Sequence, residues 1–571
     1  MHNSFYKPKI IFLICEILVI INCEVYITEL RITDYDKSGE NKLAIDLCDL
    51  SSKVDISHRV LDDLNIFHMF QICFEMNNRK NNDEIEDFLF SYLTYDADEI
   101  KRRNEIISYL VLKPDAESLI KKIINERSLL HSSLDKLNKT NRPLITYNLA
   151  LKALKSYIVT VDTMNILFSQ EDCSKPNAAA ITRFINSIKE SAFYLDIKDK
   201  IKESEKHVVR LDNVTLAVNV LTDGQAEQIA VTGINCEPEN VDGLFGSKER
   251  ANSLSNVIKV KSRNEIVNLE LYIIDKVEKL WSAPLNKILR EYKKIDFNIL
   301  NEWCNWIEHM VLFQKGVYIA KQMILNNCKL SRPIISDGEI NAEKMLYPDL
   351  VLAGFTSVPQ DINIKKGVTT IITGANSSGK TSALKSIAQN YLLAQLGFLV
   401  PAYKFIFIPY TKWFSVFSPG EDKDMHFSRF QQEAVIMNTV LAEVTPGSII
   451  FLNEPFTSTN PHEAIKLLHD IIVKLNKMCI TIIIVTHLFD LYYSLREHTK
   501  ISSYVTGTAQ KDNKMVYTFN LEKREPDGYS YAKHVAEEYG FTYTNIIKDK
   551  KEIEIYKNID WGKSDGHIIQ Q

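Results

Sequence analysis

The sequence predicts a multidomain chain of class α plus α/β, in which a long helical part, interrupted by a small β-rich stretch, precedes a mostly parallel α/β domain. Three observations carry that prediction: the length of 571 residues, a change of hydrophobic period along the chain, and a glycine-rich loop between a strand and a helix near residue 374. A chain this long exceeds what one core organises, so two to four domains are expected. Apolar residues at 45% and charged residues at 25% are the proportions of globular proteins, not of disordered ones. The formal net charge of -5 argues against a protein that coats a polyanion, yet a local basic footprint would still hold nucleic acid. The nine cysteines include no CxxC pair, which fits neither a zinc site nor a disulfide framework, so reduced and mostly buried thiols are expected.

The first element is the apolar run 10–21, which follows Lys7 and Lys9 in the manner of a signal peptide. Glu16 interrupts it, it is short for a membrane span, and no small-residue cleavage site follows. A buried first helix or strand is the expectation; a signal or anchor and a misplaced start codon are the alternatives. From about Val54 to Leu195 the pattern is helical, with Ile100, Ile106, Ile107, Leu110, Leu119 and Ile120 near helical spacing among charges. Asp96 is placed to cap one helix ahead of Glu99, and Pro114 separates that helix from the next. Between Val208 and about Val260 the period becomes two: Leu216, Val218 and Val220 alternate, a turn falls at Asp223-Gly224, and Ile229 and Val231 follow, which reads as a β-hairpin. Helical periodicity returns from about Asn264 to Asn327. After Pro348, short apolar strands (VTTIITG, SIIFLNE, ITIIIVTH) alternate with helical stretches, the arrangement of a mostly parallel sheet with covering helices.

The strand TTIIT runs into GANSSGKTS, which satisfies GxxxxGK[ST] with Gly374, Gly379, Lys380 and Thr381, and a helix-like stretch follows. Strand, loop and helix stand in the order a phosphate-binding loop requires. Its glycines let successive N–H groups of Gly374, Ala375, Asn376, Ser377, Ser378, Gly379, Lys380, Thr381 and Ser382 wrap around phosphate oxygens, and the helix N-terminus adds its partial positive charge. ATP is the ligand implied, with Lys380 on the β- and γ-phosphates and the Thr381 hydroxyl on Mg2+. At the end of the strand GSIIFLNEP, Asn453 and Glu454 stand where ligands sit in open α/β sheets. Asn453 occupies the position of a metal-binding carboxylate but brings no charge, and Glu454 is placed to polarise water. His487 follows the next strand, where ATPases of the ABC class put a histidine that senses the γ-phosphate; a lone histidine is otherwise more often structural.

These pieces together resemble the MutS family of DNA mismatch-repair ATPases. The family's loop GPNMGGKS is matched by GANSSGKT, its STFMVEM segment by SRFQQEA (Ser428, Phe430, Glu433), and its VPA turn by Val400-Pro401-Ala402. TSTN at 457–460, VTHLFDL at 485–491 and GYSYAKHVAEEYGF at 528–541 resemble further family segments, as do DADEIKRRNEIISYL and NNCKLSRPIISDGEI upstream. The resemblance implies long lever helices carrying a clamp-like β insertion, then an ABC-type ATPase domain. Its boundaries would be 1–50 for an N-terminal segment of uncertain role, 51–204 for the first helical arm, 205–262 for the insertion, 263–345 for the return arm, 346–550 for the ATPase domain and 551–571 for a tail. It also implies that Ser428 reaches the γ-phosphate in a partner's site, and hence a homodimer or a heterodimer with a related subunit. Lys248, Arg250, Lys259, Lys261 and Arg263 would meet the phosphates of double-stranded or branched DNA by their family position, whereas the residues alone, interleaved with Glu237, Glu239 and Asp242, favour a solvated surface.

The departures are specific. Asn453 replaces the family's Asp, Ser378 replaces the first of its paired glycines, the ArgGly before TSTYDG is missing, and nothing resembles the N-terminal mismatch-reading domain. An ATP-dependent DNA-binding protein of intracellular location is the reading carried forward. A nucleotide switch with little hydrolysis, and an ABC-class ATPase serving membrane transport, are its rivals; against the latter, no LSGGQ signature is present.

Overall fold

The computed structural model describes residues 47–73, 82–169, 175–207, 210–220, 226–237, 257–259, 278, 282–418, 428–511 and 514–526. The apolar run 10–21 and the segment 528–541 lie outside them. In chain order the helices and strands are α1 (His58–Asp63), α2 (Ile66–Cys73), α3 (Asn82–Tyr92), α4 (Ala97–Val111), α5 (Ala116–Leu137), α6 (Pro143–Leu167), α7 (Pro176–Glu190), α8 (Ala192–His207), β1 (Arg210–Val220), β2 (Ala226–Glu237), β3 (Val257–Lys259), α9 (Ser282–Tyr292), α10 (Phe297–Trp306), α11 (Met310–Leu325), β4 (Ile334–Ile335), β5 (Glu339–Met345), α12 (Pro348–Leu352), β6 (Gln360–Lys365), β7 (Thr369–Thr373), α13 (Lys380–Gln395), β8 (Lys404–Phe407), β9 (Lys412–Phe417), α14 (Arg429–Glu443), β10 (Ser448–Asn453), α15 (Pro461–Lys477), β11 (Thr481–Val485), α16 (Phe489–Leu495), β12 (Ile501–Lys511) and β13 (Lys514–Glu522). They fall into two compact units, one of Met1–Leu47, Lys122–Glu171 and Ala179–His309, the other of Cys48–Lys121, Asp172–Ala178 and Met310–Gln571. Among the described residues no helix is long and apolar enough to cross a membrane.

In the first unit the long helix α6 is buried along much of its length, and aromatic side chains fill the space beside it. Trp303 and Trp306 stack with ring centroids 5.1 Å apart, and Tyr157 meets Trp303 edge-on. A buried indole N–H needs an acceptor; that of Trp303 donates to Thr160 Oγ1 at 2.8 Å. The hairpin read from the alternating residues is present: β1 and β2 pair antiparallel with Leu216 opposite Val231 and Val218 opposite Ile229, and β3 adds a third strand.

The second unit contains two sheets. In the six-stranded one the order is β13-β12-β7-β11-β10-β9, with every neighbouring pair parallel except β12 and β13. Its central strands are unbroken apolar or Thr runs because both faces are covered. On one face Ile371, Ile450, Leu452, Ile482 and Ile484 pack under Met437, Val440, Leu468, Ile472 and Leu491 from α14, α15 and α16. On the other, α13 sets Tyr391 among Phe405, Phe407, Tyr410 and Trp413. The second sheet, β4-β8-β5-β6, is mixed and of four strands, and the periodicity of the sequence had not pointed to it.

The segment 48–121 belongs to this unit through bonds that sequence spacing does not show. Asp55 N donates to Thr411 O at 2.8 Å, and Gln389 of α13 donates to Leu64 O at 3.2 Å. Asp96 caps α4, accepting from the backbone N–H groups of Asp98 and Glu99. One turn on, Arg103 is fully buried, with its Nε donating to Glu99 Oε1 at 2.6 Å and its terminal nitrogens to the carbonyls of Tyr92 and Asp49. Gly397, at φ +79, ends α13 against it, and a Cβ there would lie 2.5 Å from Arg103 Cβ. Arg102 also holds Glu99, its Nη2 2.6 Å from Oε2, so Arg103→Met leaves that carboxylate paired but removes the donors to the carbonyls of Tyr92 and Asp49. The substitution is therefore expected to destabilise this unit by about 1–3 kcal/mol, read as a lower urea midpoint of its unfolding transition. Of the described cysteines, Cys48 and Cys304 are buried, Cys328 is half-buried and Cys479 is exposed. Burial pushes the Cys48 thiol up to about 12, so that thiol is inert.

Candidate functional site

The site begins where β7 ends. All five residues of β7 are buried, and the chain leaves it through Gly374 at φ +142, where an added Cβ would lie 1.8 Å from Thr506 Oγ1. Only glycine permits that approach. The loop closes at Gly379, at φ +88, which precedes α13 without any side-chain cap, so the first N–H groups of the helix remain as donors for an anion. Ser378, standing where the family has glycine, is fully buried; its hydroxyl donates to Ala375 O at 2.6 Å and lies 2.5 Å from Thr506 Oγ1. The substitution thus ties the loop to β12 by a hydroxyl pair.

Lys380 is the first residue of α13, and its side chain is 5% exposed. Its ammonium donates to the carbonyls of Gly374 at 3.1 Å and Ala375 at 2.8 Å, and lies 3.8 Å from Glu454 Oε1. Burial holds its pKa below the ordinary lysine value, while Glu454 pulls the other way. The Thr381 hydroxyl donates to Asn453 Oδ1 at 2.9 Å, which brings two side-chain oxygens together at the end of β10. Glu454 follows at φ +48, a left-handed conformation uncommon for a residue with a side chain, and its N–H donates to Val485 O at 2.8 Å. That turn points its carboxylate toward both Lys380 and His487 Nδ1, the latter 3.4 Å from Oε2. The hydrogen bond from His487 lowers the Glu454 pKa most; burial opposes it and Lys380 adds to the lowering, so the net shift is downward.

The loop, Lys380, Thr381, Asn453, Glu454 and His487 therefore converge, although 113 positions separate the two ends of the set (374 to 487). Ser428 does not line this cavity: it caps α14, accepting from Gln431 N while its own N–H donates to Gln431 Oε1. In the next turn Glu433, 1% exposed, accepts from the Ser418 hydroxyl, which also reaches the carbonyl of Glu454 at 3.3 Å. Lys248, Arg250, Lys261 and Arg263 lie outside the described residues; Lys259 is on β3, with its side chain undescribed.

Beside the loop is a cavity of about 490 Å3, also lined by Tyr347, Thr356, Val358, Gln360 and Phe519. Sequence spacing did not point to these residues: Tyr347, Thr356 and Val358 come from the β5–β6 connection, Gln360 from the start of β6 and Phe519 from β13, and only the fold brings them to the loop. Phe519 is 45% exposed, takes φ +57, and its ring approaches the loop so closely that a Cβ at Gly379 would be 3.0 Å from it. Gln360 holds that backbone in place: its Nε2 donates to Phe519 O at 2.7 Å and its Oε1 accepts from Leu521 N at 2.7 Å. Backbone and ammonium donors together with an aromatic ring in one cavity suit a nucleotide of ordinary size.

Residues 370–556 match the family model described as MutS domain V. The chain is 23% identical over 348 residues to a DNA mismatch repair protein MutS of Leuconostoc mesenteroides, covering 56% of this chain and 40% of that protein. With a DNA mismatch repair protein MutS of Bacteroides fragilis it shares 22% identity over 510 residues, 80% of this chain and 56% of that protein. With an Endonuclease MutS2 of Caldanaerobacter subterraneus the identity is 25% over 383 residues, 66% of this chain and 44% of that protein. The chain thus spans between two fifths and three fifths of the length of these relatives.

Proposed function

We propose that this chain, a divergent member of the MutS family, is an ATP-dependent DNA-binding protein working in mismatch repair or a related repair or recombination process. The observation that carries the ATP half is the convergence of Lys380, Thr381, Asn453, Glu454 and His487 on an uncapped helix N-terminus. Loop N–H groups and Lys380 hold the phosphates, Phe519 offers its face to the base, and Glu454, kept ionised, takes a proton from the attacking water. His487 orients Glu454 and reaches the γ-phosphate. Thr381 and Asn453 present adjacent oxygens, the donor type that Mg2+ selects. The cation, when bound, would neutralise phosphate charge. Ser428 acts on a partner's nucleotide, and the domain arrangement is lever helices with the stretch 205–262 as a clamp for double-stranded or branched DNA.

The DNA half rests on kinship with the MutS proteins. Its test is binding of linear, mismatched and junction DNA to the purified chain, with and without ATP; affinity that falls steeply with salt is the expected result. No such affinity under any condition would remove it.

A second reading, a nucleotide switch that turns over slowly, is favoured by one feature: the amide of Asn453 supplies an oxygen to the metal position but no charge. Asn453→Asp is expected to raise turnover at limiting Mg2+ by about tenfold, on the roughly doubled strength of charge-assisted contacts. If the natural protein is the switch, the same substitution lifts turnover from near zero. An unchanged rate at every Mg2+ concentration would separate Asn453 from the metal altogether.

A further inference from the structure

A second cleft, of about 660 Å3, adjoins the first on the other side of a shared wall. Neighbouring residues alternate between the two: Tyr347, Gln360 and Phe519 line the nucleotide cavity, while Leu346, Asp361 and Asn520 line this one. At its mouth Tyr403 is 52% exposed, and two ammonium groups lie over its ring, Lys329 Nζ at 4.3 Å and Lys344 Nζ at 4.7 Å from the centroid. The position of Lys344 is not casual. It stands at a register shift in β5, between Ala342 and Met345, with φ +48, and its N–H donates to Asp361 Oδ1 at 2.7 Å. Bulges of this kind re-aim a side chain away from the regular strand face.

The lining carries two ammonium groups, Lys329 and Lys344, and two carboxylates, Asp361 and Glu522, and each carboxylate is engaged by another donor. The side chain of Asp361 is engaged by the Lys344 backbone, and Glu522 by Arg524 Nε at 3.1 Å. Among the described residues neither Lys329 nor Lys344 has a carboxylate within ion-pair distance. Two like charges held over one ring repel each other, and the ring quadrupole offsets only part of that repulsion. An anion between them relieves the rest. Ammonium groups act as point charges with several rotatable donors, and two of them together can meet the several oxygens of a phosphoryl group.

We propose that this cleft is a second phosphoanion site, distinct from the loop at 374–381, which takes the phosphoryl groups of a free nucleotide or of a nucleic-acid strand through Lys329 and Lys344. The proposal does not depend on ATP binding at that loop. Equilibrium binding of inorganic tripolyphosphate and of a short single-stranded oligonucleotide to the full chain, at about 0.15 M salt to screen diffuse attraction, tests it. The variants are Lys329→Glu/Lys344→Glu, Lys380→Ala, and Lys474→Glu/Lys477→Glu as an exposed control on α15. Lys329→Glu/Lys344→Glu is expected to weaken one component of binding at least tenfold, a component that Lys380→Ala and the control leave intact. Loss of that component for the oligonucleotide assigns the phosphates to a nucleic-acid strand; loss for tripolyphosphate alone assigns them to a free nucleotide. Binding of both probes unchanged by Lys329→Glu/Lys344→Glu, or weakened equally by the control, overturns the proposal. Failure of the nucleotide reading shows separately, as tripolyphosphate binding that Lys380→Ala does not touch.

Discussion

Glu454→Gln is expected to lower ATP turnover by about 100- to 10,000-fold, the range for removing a positioned general base, while leaving nucleotide affinity within a few fold. Glutamine keeps the shape, so the turn after β10 and the bond from Glu454 N to Val485 O remain. What is lost is the acceptor for a proton. In the natural protein the bond from His487 holds the carboxyl pKa below its ordinary value, so it is ionised across the neutral range. His487→Ala removes the largest lowering influence and leaves burial opposed only by Lys380. The acid limb of the pH–rate profile is then expected to move to higher pH, because the base must lose its proton at a higher pH than before. Steady-state phosphate release against pH, with binding of a non-hydrolysable analogue as control, measures both. Wild-type turnover in Glu454→Gln would falsify the assignment of Glu454 as the base.

The strands that carry this chemistry were readable because burial on both faces writes itself as an unbroken run. TTIIT, SIIFLN and TIIIV are β7, β10 and β11, and the loop and Asn453-Glu454 follow the strand ends as the sequence implied. The hairpin was readable for the opposite reason, since strict alternation fixed its register at Leu216 and Val218. The second sheet was not. β5 reads EINAEKM, its period broken by the shift at Lys344, and β4 is only two residues long. The attachment of 48–121 to the sheet unit was equally hidden, because bonds such as Gln389 to Leu64 O join positions 325 apart that share no local pattern.

The site divides along the same line. Residues contributed by the loop and by two consecutive strand ends have fixed offsets from recognisable motifs, so Lys380, Thr381, Asn453, Glu454 and His487 could be named from the sequence. Phe519 and Gln360 come from strands whose relation to the loop is set by sheet pairing. Thr506, which faces Gly374 and Ser378, belongs with them. Nothing in VYTFNLE marks Phe519 as the residue that takes φ +57 over the loop; that follows from Gln360 gripping the carbonyl of Phe519 and the N–H of Leu521.

Lys380→Met is expected to weaken ATP binding by about 2–5 kcal/mol, the range for truncating one partner of a buried, hydrogen-bonded charge pair, or roughly 30- to several thousand-fold. The same change should raise, not lower, the thermal stability of the nucleotide-free protein. The side chain is 5% exposed, and its ammonium is met by two carbonyls and by Glu454 at 3.8 Å, yet its pKa lies below the ordinary lysine value because burial outweighs that attraction. A lysine whose folded pKa is lowered binds fewer protons folded than unfolded between the two values, so stability rises with pH through that alkaline window and the charged form is penalised below it. Methionine keeps the apolar stem and removes the penalty. Phosphate oxygens of a bound nucleotide would offset the same penalty in the natural protein, which would couple binding and folding at this side chain. Thermal unfolding with and without ATP separates the two effects: Lys380→Met should unfold at a higher temperature alone and gain less from a given nucleotide concentration than the natural protein does. If the variant gains as much as the natural protein does, the ammonium is not what holds the phosphates.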